Sequence, residues 1–204
     1  MNDRSTESYG QAGTTWVDRF GVWLSQRAIR RALPAIRKLR ILEIGCGYHA
    51  TQLRALSDRM SHGVGLDYTI APELLSKAGL SFHQGPVEKS LPGLESGSFD
   101  VVLLISVLEH LRDAPGCLES VWRVLRPKGV LLVNVPTWRG QTFLEFSAFR
   151  LGLSPATEMD DHKMYYDKRD LWPLLVRAGF PPSSLRLKYH KFGLNLFARA
   201  IKPS

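Results

Sequence analysis

From residue 39 onward the chain alternates between two rhythms. Short, nearly unbroken apolar runs are separated by stretches in which apolar residues recur every three or four positions. The runs are "RILEI" (40–44), "GVGLD" (63–67), "LSFHQ" (80–84), "FDVVLLIS" (99–106) and "VLLVNVP" (130–136). A strand covered on both faces is apolar at nearly every position, so these runs predict buried strands. Between them, "YHATQLRALSDRM", "APELLSKAG" and "APGCLESVWRVLRP" predict helices, the second with Pro72 near its first turn, the third stopped by Pro127 and Gly129. Strands alternating with amphipathic helices predict an α/β fold, a mostly parallel sheet covered on both sides.

The rhythm fails at both ends. Residues 1–13 are polar and predict disorder. Residues 14–39 predict a helical segment with Pro34 as a kink or break. After the fifth apolar run comes an aromatic-rich insertion over 137–165, "TWRGQTFLEFSAFRLGLSPATEMDDHKMY". Trp138, Phe143, Phe146, Phe149, Tyr165 and the adjoining Tyr166 supply its rings. A helix, "DKRDLWPLLVRAG", and two strand-like runs, "SLRLKYHKF" and "LNLFARAIK", close the chain as a terminal hairpin. The expected organisation is one domain over 1–204, with 137–165 as a lid at the carboxyl edge of the sheet.

Charge adds a question. The chain of 204 residues carries a net charge of +8. Arg27, Arg30, Arg31, Arg37, Lys38 and Arg40 crowd residues 27–40, with Ile29, Leu33, Ile36 and Leu39 at near-helical spacing and no acid among them. A solvated face of a packed helix is the plain explanation of this basic amphipathic segment; docking on a phosphate-rich surface is the sharper one. No apolar run is long enough to span a membrane, and the first residues lack the apolar stretch of a secretory signal. Cys46 and Cys117 have no metal-type spacing, and "DDH" at 160–162 is too local for a ligand set. The expectation is a reduced, cytoplasmic protein without a metal site.

The chemistry gathers at "RILEIGCGYHATQL", residues 40–53. Gly45 and Gly47 follow the first strand and let a ligand approach the backbone, while the next helix offers its N-terminal N–H groups. His49 stands where a Gly-x-Gly-x-Gly pattern has its third glycine, and Ala50 lets the same letters pass as Gly-x-Gly-x-x-Ala. Asp67 ends the second strand and suits two ribose hydroxyls. These features admit either a dinucleotide or an adenosyl cofactor.

Residues 91–137, with "FDVV", "LEHL", "RVLRPKG" and "LLVNVP" in order, resemble the class I S-adenosylmethionine-dependent methyltransferases. "ILEIGCG", with Glu43, resembles that family's first cofactor motif, and "GVGLDYT" its second; the likeness resumes at "DHKMYYDKRDLWPLLVRAGF". The order and spacing of these motifs carry the resemblance. It implies a doubly wound, seven-stranded, Rossmann-like sheet with an antiparallel last strand, and S-adenosylmethionine as cofactor. Gly45 and Gly47 would lie beside the methionine part and Asp67 would accept from the ribose. Tyr68 would lie along the adenine, Val87 near its edge, and Ser106 near cofactor and substrate. Pro86 stands where an acid is common, and His49 replaces a glycine.

His110, in "LEHL", and His162, in "DDHKMYY", are the candidate bases for methylation of a hydroxyl. The resemblance points to a small-molecule, sugar or lipid-linked acceptor. "TFLEFSAFRLGL" with the basic segment 27–40 points to peripheral membrane contact. The charge keeps an RNA or protein methyltransferase as an alternative, although no nucleic-acid module is visible. His49 and Pro86 motivate a third reading, a cofactor-binding protein without catalysis.

Overall fold

A computed structural model describes residues 8–11, 13, 15–36, 38–140 and 164–204. The first helix, α1, is Trp16–Ala32. Thr15 and Asp18 start it as a capping box, each side chain accepting from the other's backbone N–H. It ends earlier than the charge pattern predicts. Leu33 is extended, as the residue before a proline must be, so the basic stretch 27–40 is helical only to Ala32.

The strands are β1 Leu39–Ile44, β2 Met60–Asp67, β3 Leu80–Gln84, β4 Phe99–Ile105, β5 Leu125–Pro136, β6 Arg186–His190 and β7 Asn195–Ile201. They form one sheet in the order β3-β2-β1-β4-β5-β7-β6. All pairs from β3 to β5 are parallel; β7 runs antiparallel to β5 and to β6. This is the predicted doubly wound α/β sheet, with its terminal hairpin in place. The order reverses between β1 and β4, which sets a crevice at the carboxyl ends of those strands.

Period two explains the unbroken apolar runs. Ile41, Val101, Leu103, Val130 and Leu132 join one core with Ile29, Leu33, Leu53 and Leu56. Their neighbours Leu42, Val102, Leu104, Leu131 and Val133 join a second core with Leu118, Val121, Leu171, Leu175 and Phe180. Each fully buried leucine is worth roughly 2 kcal/mol of transfer free energy, so both faces are strongly specified.

The helices between the strands are shorter than their patterns suggest. They are α2 Thr51–Ala55, α3 Pro72–Leu75 and α4 Val87–Ser90, followed by α5 Ala114–Val124 and α6 Lys168–Arg177. Ala50 enters α2 in the left-handed conformation, which places the helix start beyond the apolar pattern's own start. Residues 8–11, expected within a disordered start, form a turn in which Gln11 N donates to Ser8 O. Tyr165 and Tyr166 are buried, and Tyr166 N donates to Pro136 O beside the end of β5. Residues 141–163 of the expected lid, including Phe143, Phe146, Phe149 and His162, lie outside the described residues.

Candidate cofactor and acceptor site

The turn after β1 is built around Asp67. Gly45 N and Cys46 N both donate to Leu66 O, which folds the turn back across the end of β2. Gly47 N then donates to one oxygen of Asp67 at 2.6 Å, and Tyr68 N to the other at 2.8 Å. Both glycines have positive φ. A Cβ on Gly45 would stand 2.2 Å from Val107 Cγ2, so the turn and the loop after β4 close on each other only with glycine there.

The Asp67 carboxylate also accepts the Ser8 hydroxyl, 2.5 Å from it, and the same hydroxyl accepts from Thr69 N. Tyr48 N donates to Tyr9 O, and that oxygen lies 3.1 Å from where a Gly47 Cβ would be. Ser8 and Tyr9 therefore rest on the glycine turn, with an alcohol O–H seated on the strand-end carboxylate. An alcohol donor beside backbone N–H groups is the chemistry that a ribose presents to such an acid.

The other predicted residues fall around this centre. Glu43 is buried and points at α2, where its carboxylate accepts from Leu53 N. Burial raises its pKa well above the usual range, which the Leu53 bond offsets only in part. Val87 is buried at the start of α4, directly after Pro86. Gln84, at the end of β3, accepts from Ile70 N and ties the loop after β2 to β3. His49 packs edge-on against Tyr48, 4.9 Å between ring centroids. Cys46 is buried filler, its Sγ 2.8 Å from a Cβ on Gly65, and burial raises its thiol far above reactive range.

Ser106 stands at the carboxyl end of β4 with φ of 56° and donates its N–H to Asn134 O. His110 closes the single turn Leu108–His110 just beyond, half-buried. His162, the second candidate base, is not among the described residues.

Two buried polar residues near the carboxyl ends of β4 and β5 escaped the sequence reading. Glu109 is fully buried, and neither carboxylate oxygen has a hydrogen-bond partner. Asn134, at the end of β5, is fully buried with both amide atoms unpartnered. Burial pushes the Glu109 pKa up to about 8, and the nearby Lys191 ammonium pulls against that. Burial likewise lowers Lys191 to about 8, opposed by Glu109. Tyr166, close enough to feel the Glu109 charge, is pushed up to about 12, chiefly by burial. The signal was present: an acid inside the apolar "SVLEHL" and an amide inside "VLLVNVP" break runs that burial should keep apolar.

Among the described residues no group of histidines, cysteines and acids has metal-site geometry, and no helix is long and apolar enough to cross a membrane.

Residues 42–133 match the family model described as a methyltransferase domain. Trans-aconitate 2-methyltransferase of Deinococcus radiodurans is 32% identical over 116 residues, covering 54% of this chain and 43% of that protein. The ubiquinone biosynthesis O-methyltransferase of Hahella chejuensis is 30% identical over 122 residues, covering 56% of this chain and 49% of its own. The chain spans about half the length of the curated relatives it matches. In fold it is similar to a SAM-dependent methyltransferase from Archaeoglobus fulgidus, with a TM-score of 0.65 at 13% identity over 92% of this chain and all of that one. The glycine turn and Asp67 fit S-adenosylmethionine, the cofactor that the methyltransferase likeness implies, through the carboxylate that already holds an alcohol. By motif order, sheet topology and these likenesses, the chain is similar to the class I S-adenosylmethionine-dependent methyltransferases, and residues 42–133 match a methyltransferase domain.

Proposed function

We propose that this protein moves a methyl group from S-adenosylmethionine to an oxygen of a small-molecule, sugar or lipid-linked acceptor in the cytoplasm. The observation that carries this is one sheet edge with two polar centres. Asp67 takes an alcohol donor at the end of β2, and Glu109, in the turn after β4, and Asn134, near the end of β5, sit buried. When bound, the cofactor supplies a methyl group already activated on a sulfonium. What remains for the chain is alignment. Asp67 would hold the ribose, the glycine turn would let the amino-acid end approach the backbone, and Ser106 and His110, at and just beyond the carboxyl end of β4, would face the acceptor. His110 is the described candidate for taking the acceptor's proton. Oxygen as the methylated atom is favoured by the likeness to an O-methyltransferase. The two free, buried cysteines suit a reducing compartment.

Calorimetric titration with S-adenosylmethionine, its demethylated product and NADH tests the cofactor. The first two should bind and Asp67→Ala should remove that binding; NADH binding alone would overturn the family chemistry. Transfer of a labelled methyl group to pools of hydroxylated acceptors tests the reaction. Cofactor binding without transfer to any pool, or transfer unchanged in His110→Ala, would count against catalysis or against the base respectively.

A further inference from the structure

We propose that the outer face of α1 docks on an anionic lipid surface. The helix is arranged with its small residues inward and its large ones outward. Gly21 and Ser25 face the domain, with Ser25 Oγ donating to Gly21 O, and Ile29 is fully buried below them. On the opposite side Trp16, Phe20, Trp23, Arg27 and Arg30 recur at steps of four and three, which puts them on one stripe. Trp16 is 75% exposed, Phe20 48% and Trp23 51%. A helix that only packs against a domain shows the reverse order, apolar inward and polar outward.

The stripe is divided along its length. Aromatic rings occupy the N-terminal half, with Phe20 and Trp23 stacked 5.8 Å apart. Arginines occupy the C-terminal half: Arg27 lies over the Trp23 ring, Arg30 is paired with Asp58, and Arg31 is exposed. A recess of about 350 Å³ beside Trp23 is lined by Gln26, Arg27, Arg30 and Arg31. Tryptophan seats its ring at the headgroup level, and guanidinium groups take phosphate oxygens in pairs. The convex stripe suits a flat phosphate-rich sheet. It does not suit single-stranded nucleic acid, which stacks its bases one by one on rings within a groove, whereas Phe20 and Trp23 are already stacked on each other.

The position of this face gives it a use. Lys191, in the turn before β7, reaches Gly21 on the flank of α1, and the next residue, Phe192, is 87% exposed. That turn lies at the carboxyl edge of the parallel strands, beside the end of β5. Docking through α1 would therefore bring the acceptor edge to the membrane, which rests on the methyltransfer reading; the docking itself does not.

The test is co-sedimentation of the full chain with vesicles of phosphatidylcholine alone or mixed with phosphatidylglycerol, at low and high salt. Expected is binding to the anionic vesicles only, weakened by salt. The pairs Trp16→Ser with Trp23→Ser, and Arg27→Gln with Arg31→Gln, should each lower the partition coefficient about tenfold or more. Cofactor calorimetry on the same variants should be unchanged, which shows that they fold and separates this proposal from the proposed reaction. Absence of binding to anionic vesicles at low salt, or binding that ignores both pairs, would overturn it. So would equal binding to a single-stranded RNA that is lost in the same variants.

Discussion

The two ends of the crevice treat polar atoms in opposite ways. At the end between β1 and β2, where we propose that the cofactor binds, every oxygen of Asp67 is engaged by the chain itself: Gly47 N, Tyr68 N and the Ser8 hydroxyl. At the end between β4 and β5, the proposed acceptor end, Glu109 and Asn134 are buried with no partner for their side-chain oxygens or amide. An unpartnered buried polar group costs about 1–3 kcal/mol. A family fold therefore tolerates at its acceptor end an expense that it avoids at its cofactor end. The difference teaches where the shared chemistry lies. The proposed cofactor end has its polar atoms satisfied; the proposed acceptor end is left with open hydrogen-bonding capacity.

The first way to break this comparison is at Asp67. Asp67→Ala removes a carboxylate that takes three hydrogen bonds: one from the glycine turn, one from its own neighbour Tyr68 and one from Ser8. Charge-assisted hydrogen bonds are worth about 1.5–3 kcal/mol each, so the expected loss of cofactor affinity is about a hundredfold. Calorimetry with S-adenosylmethionine measures it. An unchanged affinity would mean that the acid organises the free protein without touching the cofactor.

A smaller effect belongs to Glu109. Its folded pKa of about 8 stands above the ordinary carboxyl value near 4.5. The folded state thus binds the proton more tightly, and the associated stability is complete below about pH 4.5 and is lost as pH rises through about 8. Lys191 has the opposite sign: its folded pKa of about 8 lies below the ordinary 10.5, so stability is complete above that and is lost as pH falls through about 8. Glu109→Gln should flatten urea-denaturation stability between pH 5 and pH 8, a change of about 2 kcal/mol across the window. A slope that survives the substitution would place the titrating group elsewhere.

Asn134 sharpens the same contrast. Asn134→Leu removes two unpartnered polar atoms at a position whose strand neighbours are all apolar. Stability should rise by about 1 kcal/mol, read from the denaturation midpoint, while methyl transfer falls. A variant that is both more stable and fully active would show that the amide serves neither end.

Legibility follows the same division. The strands were legible because burial on both faces leaves a run of apolar letters, as in "FDVVLLIS", and the glycine turn because Gly45 admits no Cβ beside Val107. The end of α1 was less so, since the arginines beyond Ala32 continue a helical charge pattern that Pro34 forbids to the backbone. Glu109 was passed over for its neighbour His110, because an acid titrates near neutrality only once burial has acted, and burial is not written at one position. Ser8 was beyond reach: its partner lies 59 residues away, and nothing in a polar start says that one hydroxyl will find Asp67.

Ser8 also yields the finest test. Its hydroxyl sits on the carboxylate that we propose holds the ribose, so on that reading S-adenosylmethionine must displace it or share Asp67 with it. Displacement lowers apparent affinity by the fraction of molecules in which the segment is docked. Ser8→Ala removes the O–H donor but leaves the backbone contact between Tyr48 N and Tyr9 O. If the segment competes, the variant should bind the cofactor about threefold more tightly, because only part of the docking energy is lost. The association rate should rise with it, as fewer molecules wait for the segment to leave. If the variant binds more weakly, with faster release, the segment folds over the bound cofactor and Ser8 helps retain it. The direction of a small change at one hydroxyl thus decides whether the finished end of the crevice is closed against its ligand or around it.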